Sequence, residues 1–343
     1  MALAPARALR ALYAVLLTAL LAAPAPALTA SAESPPSIPP AGSPARPPSG
    51  PSSGTGTGTG TGIGPAAPVA ARTPRAPGVR GLEIAVPAYV WADDPALTEL
   101  TATGPAASVV VLNPGNGDAP FDASWRARAD ALRTGTTATG EHTKVLGYVH
   151  TDHGRRDPAA VRASVDNYLR TPDGALHVDG VFFDVVSRDC GPGNATRDHY
   201  AALRRYVQDT MHAVDPEVPD LVVDNPGTAT ADCYLEPGHR TADVFVTYEG
   251  SYAAYTSDGW SGGNVFDAAG GYRPGTELDP SGTAFWHLVH DVPDAAAMRT
   301  TLAAAFARGA GYAYATSAAM PNPWDTAPAW GFGPETDYAA GLG

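Results

Sequence analysis

Eight short apolar, β-branched runs recur along the chain, and their spacing restricts the folds open to it. They are "LEIAVPAYVW" (82–91), "SVVVLN" (108–113), "KVLGYV" (144–149), "GVFFD" (180–184), "LVVDN" (221–225), "VFVTYE" (244–249), "AFWHLVH" (284–290) and "GYAYAT" (311–316). Helical patterns separate several of them: 123–134, 158–169, 197–214 and 294–308. Parallel strands need a crossover of a dozen or more residues between them, usually a helix. Strand, helix, strand in alternation therefore predicts a parallel sheet. Eight repeats predict α/β architecture as a single closed (β/α)8 barrel of the TIM type, in preference to an open doubly wound sheet. The segments after the fifth and sixth runs are Gly-rich and poorly helical, so irregular crossovers are expected there.

The polar residues cluster at one end of these runs. Trp91, Asn113, His150 and Thr151, Asp184, Asn225, Glu249, His290 and Asp291, and Thr316 all stand at C-terminal ends. In such barrels the active site is built from those ends and the loops that follow. Each residue singly also has a structural explanation, since Asn-Pro and Asp-Gly simply terminate strands.

The N-terminal 80 residues have a different character. Arg7 and Arg10 precede an apolar run from Ala11 to Ala23, followed by the small-residue sites Ala25-Pro26-Ala27 and Ala30-Ser31-Ala32. This is the pattern of a secretory signal peptide over 1–32, and it makes the expected location extracellular. The run is short for a membrane span, and no second one follows, so no transmembrane segment is expected in the mature chain. Residues 33–80 are Pro, Gly, Ser, Thr and Ala, with "GTGTGTGTG" at 54–62, and read as a disordered linker. The folded part is then 81–343.

Charge separates possible partners. The chain has 22 Lys+Arg and 35 Asp+Glu. Six of the Arg and one Glu lie in the first 80 residues, leaving 16 against 34, a net of −18 for the folded part. Such a surface repels nucleic acid and anionic membranes and attracts a cationic polymer, although acidity also simply keeps a secreted protein soluble. The two Cys, Cys190 and Cys233, in a chain bound for an oxidising space are expected to form one disulfide rather than remain two free thiols. Neither a cofactor nor a metal is implied, and a monomer is the expectation.

The ordered blocks "VPAYVW", "VVVLNPGNG", "VLGYVHTDHG", "GVFFDV", "VVDNPGT", "ADVFVTYEGSY", "HLVHDVP" and "GAGYAYATSAAMPNPWD" span 82–325. In that order they resemble the spherulin-4-like (spherulation-specific family 4) proteins, grouped with glycoside hydrolase family 135. The resemblance implies a (β/α)8 hydrolase acting on galactosamine-containing polysaccharide, with endo action on alpha-linked N-acetylgalactosamine in the characterised fungal branch. It also implies an Asp-Glu pair at the end of the fourth strand and a Glu at the end of the sixth. Asp184 matches the first position and Glu249 the last, while Val185 stands where the family usually has Glu. That substitution makes a carbohydrate-binding protein with impaired catalysis the second expectation.

Glycosidic cleavage needs one carboxyl to protonate the leaving oxygen and a second to act as nucleophile or to activate water. Glu249 lies among Tyr248, Tyr252 and Tyr255, a setting that favours the protonated acid, which leaves Asp184 as nucleophile or base. Sugar rings stack on aromatic faces and bond polar tips, which nominates Tyr89, Trp91, Asn113, Tyr148, His150, Asn225, Tyr252, His290 and Trp324 for substrate binding. Core packing is the competing explanation for Tyr148, which lies inside a strand. A third expectation comes from His150-x-x-His153 and His287-x-x-His290-Asp291, residue types that bind zinc in metal-dependent deacetylases. Strand alternation argues against it, because it sends His287 and His290 to opposite faces.

Overall fold

The computed structural model describes residues 81–236, 238–257 and 284–342. The expected signal peptide and linker lie outside the described residues. Eight parallel strands close into a barrel in sequence order: β1 (Glu83–Ala88), β2 (Val109–Leu112), β3 (Lys144–His150), β4 (Gly180–Asp184), β5 (Leu221–Asn225), β6 (Val244–Ser251), β7 (Ala284–His290) and β8 (Tyr312–Ala315). Closure comes from β1 pairing with β8, Glu83 opposite Tyr312. All eight expected runs are strands, shortened or extended at their ends.

Helices α1 (Pro95–Ala102), α2 (Ala123–Arg133), α3 (Pro158–Leu169), α4 (Ala195–His212), α5 (Tyr252–Tyr255), α6 (Ala295–Ala307) and α7 (Gly333–Ala340) connect or follow the strands. Their starts are written in the sequence. Asp94, Asp122, Asp157 and Asp294 each cap a helix by accepting from backbone N–H groups of its first turn. Pro95 and Pro158 begin α1 and α3, where a missing N–H costs nothing. Among the described residues of the crossover after β5 the helical element is a 3-10 turn, Asp232–Leu235, as the Gly-rich sequence suggested.

Strand alternation sorts side chains between the barrel interior and the helix layer. Phe182 on β4 and Trp286 on β7 come from non-adjacent strands, yet their rings meet at 5.6 Å, so both point inward. Phe285 and His287, the neighbours of Trp286, then face the helices, and all three are fully buried. Gly147 serves a close approach: a Cβ there would collide with the Tyr168 ring, which packs flat on β3 from α3. From that position the Tyr168 hydroxyl donates to the carbonyl of Tyr148 at 2.8 Å and steadies β3 just before its C-terminal end.

Candidate active site

Asp184 ends β4, opposite His150 on β3 and Asn225 on β5. Three donors converge on its carboxylate. The Tyr148 hydroxyl donates to Oδ2 at 2.6 Å, Asn225 Nδ2 donates to Oδ1 at 2.7 Å, and the backbone N–H of Val185 adds a third. Val185 adopts φ 54°, a left-handed conformation that a β-branched residue rarely enters. Its carbonyl explains how the turn is held, because it accepts from the His153 N–H at 2.6 Å and from Thr151 Oγ1 at 2.9 Å. Thr151 Oγ1 also reaches the carbonyl of Asp184 at 2.8 Å, so the loop after β3 clamps both residues at the end of β4.

Glu249 reaches the same mouth through an irregularity in β6. Phe245 faces the helix layer, opposite Asp224 and Phe285 and against Tyr234. Strict alternation would send Thr247 and Glu249 to that same side. The register with β7 shifts between Val246 and Tyr248, however, so Tyr248 is the next residue to face outward, against Tyr255 and His287. The extra residue, Thr247, reverses the phase and turns Glu249 inward. Bulges beside active sites re-aim side chains in this way.

Asn225 joins the two acids. Its Nδ2 donates to Asp184 Oδ1 at 2.7 Å and to Glu249 Oε2 at 3.0 Å. Those two oxygens therefore lie no farther apart than the sum of the bonds, under about 6 Å. Gly227 N–H donates to Asn225 Oδ1 at 2.8 Å, which fixes the amide so that its NH2 must face the carboxylates. Trp324 Nε1 donates to Glu249 Oε1 at 3.2 Å.

The electrostatics distinguish the acids by their partners. Burial pushes Asp184 above the ordinary carboxylate range, against the pull of Tyr148, the Val185 N–H and Asn225. Burial also raises Glu249, and the negative charge of Asp184 adds to the rise, while Asn225 and Trp324 act against it. Glu249 is exposed as a residue, because the mouth opens onto it, although protein crowds its carboxyl from the sides. Asp184 has three donors with two short bonds, and Glu249 has two at longer range, so Asp184 is the better stabilised anion. Burial and Asp184 together raise the Tyr148 hydroxyl far above its usual range, which keeps it a donor.

The other nominated residues divide into those at the carboxylates and those elsewhere. Tyr89 packs edge-on against Tyr148 at 5.2 Å, and its N–H bonds the carbonyl of Trp324 at 2.9 Å. His290 meets the Trp324 ring edge-on at 6.3 Å. His150 lies beside Asp184, and its charge lowers the Asp184 pKa. Asn113 follows directly on β2, with a buried Oδ1 that has no partner among the described residues. Trp91 instead stands 54% exposed on a surface groove with Asp93, Asp122, Trp125 and Arg128. Tyr252 opens α5 and packs against the core.

Cys190 and Cys233 form a disulfide between the loops after β4 and β5. Tyr234 reinforces it by donating to the carbonyl of Ser187 at 2.6 Å. Of the histidines that suggested a metal, His287 faces outward with Nδ1 2.8 Å from the Tyr255 hydroxyl, whereas His290 faces inward. No group of three or more His, Cys, Asp or Glu among the described residues is arranged to hold a metal ion.

Sequence reasoning missed Thr247 as the residue that aims Glu249, and Gly227 as the group that orients Asn225. "NPGT" carried a signal for the second, since Asn side chains bond a backbone N–H two residues on. No local signal marked the first.

A closed parallel barrel whose C-terminal mouth presents two carboxylates bridged by one amide is a glycoside hydrolase-like (β/α)8 domain. The family model for Spherulation-specific family 4 matches residues 83–331, and the chain belongs to that family. Among solved structures it is similar to Sph3 of Aspergillus clavatus in complex with GalNAc, at 21% identity and a TM-score of 0.58, over 76% of this chain and 98% of that one. An endo-beta-1,4-mannanase double mutant of Cellulomonas fimi matches at 14% identity and a TM-score of 0.42, over 76% and 70% of the two chains. A GH18 chitinase of Pseudoalteromonas aurantia matches at 13% identity and a TM-score of 0.37, over 68% and 93%. No curated protein matches.

Proposed function

We propose that this protein is a secreted glycoside hydrolase that cleaves alpha-linked galactosamine or N-acetylgalactosamine polysaccharide with Asp184 and Glu249. The observation that carries the reading is the shared amide of Asn225, which holds two acids within the separation that glycoside cleavage requires. Their close approach suits the retaining geometry of roughly 5–5.5 Å better than the inverting one of about 6.5–9.5 Å. Asp184, with three donors, is then the nucleophile, and Glu249 protonates the leaving oxygen and later deprotonates water. In an alpha-linked galactosaminide the 2-acetamido group lies cis to the leaving group and cannot attack from the opposite face, so a protein carboxylate is required. Sph3 in complex with GalNAc supports the sugar class, and the net negative charge suits a cationic, partly deacetylated polymer.

A sugar-binding protein without turnover is the second reading, and Val185 after Asp184 is the observation that favours it. Incubating the full chain with galactosamine-rich polysaccharide separates the two. Hydrolysis predicts released oligosaccharides that retain the alpha configuration and disappear in Asp184→Asn. Saturable binding with no release from the wild-type chain supports the second reading instead.

A further inference from the structure

At the end of β7 the backbone turns left-handed at Asp291, with φ 56°. Two backbone bonds hold the turn: Asp291 N–H to the carbonyl of Ala318 at 2.9 Å and Val292 N–H to the carbonyl of Thr316 at 3.0 Å. The turn folds the Asp291 carboxylate back onto the preceding side chain, and Oδ2 sits 2.7 Å from His290 Nδ1. His290 shares the inward face of β7 with Trp286 and Leu288, and Leu288 is in register with Glu249. Its ring lies edge-on to Trp324, the residue that donates to Glu249. The His290 side chain is only 11% exposed, and no hydrogen bond from a described residue reaches Nε2.

An ionised carboxylate only accepts hydrogen bonds, so the Nδ1 facing Asp291 carries the proton. In the neutral ring the other nitrogen is then bare, and the bond made by one nitrogen decides what the other offers. We propose that Asp291 is a positioning residue that fixes His290 Nε2 as a hydrogen-bond acceptor in the barrel mouth. The pair thereby selects, beside Glu249, a sugar that offers a donor, either a hydroxyl or an amide N–H. A sugar that presents only acceptors there leaves two buried lone pairs facing each other and is rejected. The sugar part of this inference rests on the function proposed above, whereas the tautomer part stands on the protein alone.

The test has two arms. In the first, nitrogen-15 NMR of the histidine rings in the full chain reads the His290 tautomer without substrate. The expected result is Nδ1–H in the wild type and a shift toward Nε2–H in Asp291→Gly, a residue that suits the left-handed backbone. An Nε2–H tautomer in the wild type, or no change in the variant, overturns the proposal. In the second arm, an alpha-linked N-acetylgalactosamine oligosaccharide is the probe for kinetics. Asp291→Gly and His290→Leu are expected to raise KM about tenfold with kcat changed less than about threefold, the loss of one hydrogen bond. His290→Gln, whose Oε1 accepts near the Nε2 position, is expected to stay within about threefold of the wild-type KM. A Gln variant as impaired as the Leu variant overturns the acceptor role. If the wild-type chain neither binds nor cleaves the oligosaccharide, the proposed function fails, and the NMR arm still decides what Asp291 does.

Discussion

Phe245 and Glu249 occupy positions of the same parity on β6, yet Phe245 faces the helices and Glu249 faces the barrel mouth. The register shift at Thr247 is what separates them. The second carboxylate therefore depends on Thr247 being bulged out rather than paired, whereas Asp184 needs only ordinary alternation from Phe182. Deleting Thr247 is predicted to restore strict alternation with Glu249 still inward, because Val246 then leads directly to Tyr248 opposite His287 and Glu249 opposite Leu288. Activity on the galactosaminide polymer should stay within about tenfold in that variant and fall by roughly 100- to 10,000-fold in Glu249→Gln, the range for losing a general acid. Assays of both, with circular dichroism to confirm the barrel, check this; a deletion variant that folds and is as inactive as Glu249→Gln refutes it.

Asn225 donates one N–H to each acid, so removing its side chain should cost more than a neutral hydrogen bond. Asn225→Ala leaves both carboxylates short of a donor, with their repulsion undiminished. Both pKa values should rise as the charged forms lose support, and the pH optimum should move upward. We expect kcat to fall by about 100-fold or more, since charge-assisted bonds contribute roughly 1.5–3 kcal/mol each. A pH profile of kcat/KM for both proteins provides the readout.

Behind Asn225 on the outward face of β5, Asp224 is fully buried and raised to about 8, chiefly by burial. In the unfolded chain the same group ionises near 4. Between those values the folded state holds a proton that the unfolded state has lost. Stability should therefore fall as pH rises from about 4 to about 8 and level off above. Asp224→Asn is predicted to remove part of that slope and raise the melting temperature at pH 8, with little change at pH 4. Equal slopes in the two proteins would show that Asp224 is not the source.

The Cys190–Cys233 bond closes a span of 43 residues across the loops that flank Asp184 and Asn225. On the chain-entropy account, a loop of this size contributes about 4 kcal/mol through the unfolded state. Denaturant unfolding of the Cys190→Ser/Cys233→Ser double variant should show a loss of that order.

The barrel was legible because its signals are local and repeated. β-branched runs, Asp caps and Pro starts recur with each unit, and four helices fall within two residues of their expected bounds. Helices α1 and α7 were less visible: α1 is a short segment and α7 follows the last strand. Asp184 and Glu249 could be nominated from their positions at strand ends. Their bridge could not, because the Asn225 contacts join residues distant in sequence. The phase reversal at Thr247 was hidden for a different reason. Period-two alternation carries no mark of an inserted residue when the flanking residues, Val246 and Tyr248, both suit a strand. Asp291 looked like a loop acid, and only its left-handed backbone shows that it turns back on His290.

The most direct test of the two-carboxylate account is the pH profile of kcat/KM on alpha-linked N-acetylgalactosamine oligosaccharide for the wild type, Asp184→Asn and Glu249→Gln. Asp184 must be ionised and Glu249 protonated, so the wild type should show a bell whose alkaline limb lies above the ordinary carboxylate range. Glu249→Gln should lose that alkaline limb, and Asp184→Asn should lose turnover. An alkaline limb that persists unchanged in Glu249→Gln, or wild-type turnover by Asp184→Asn, would contradict the account.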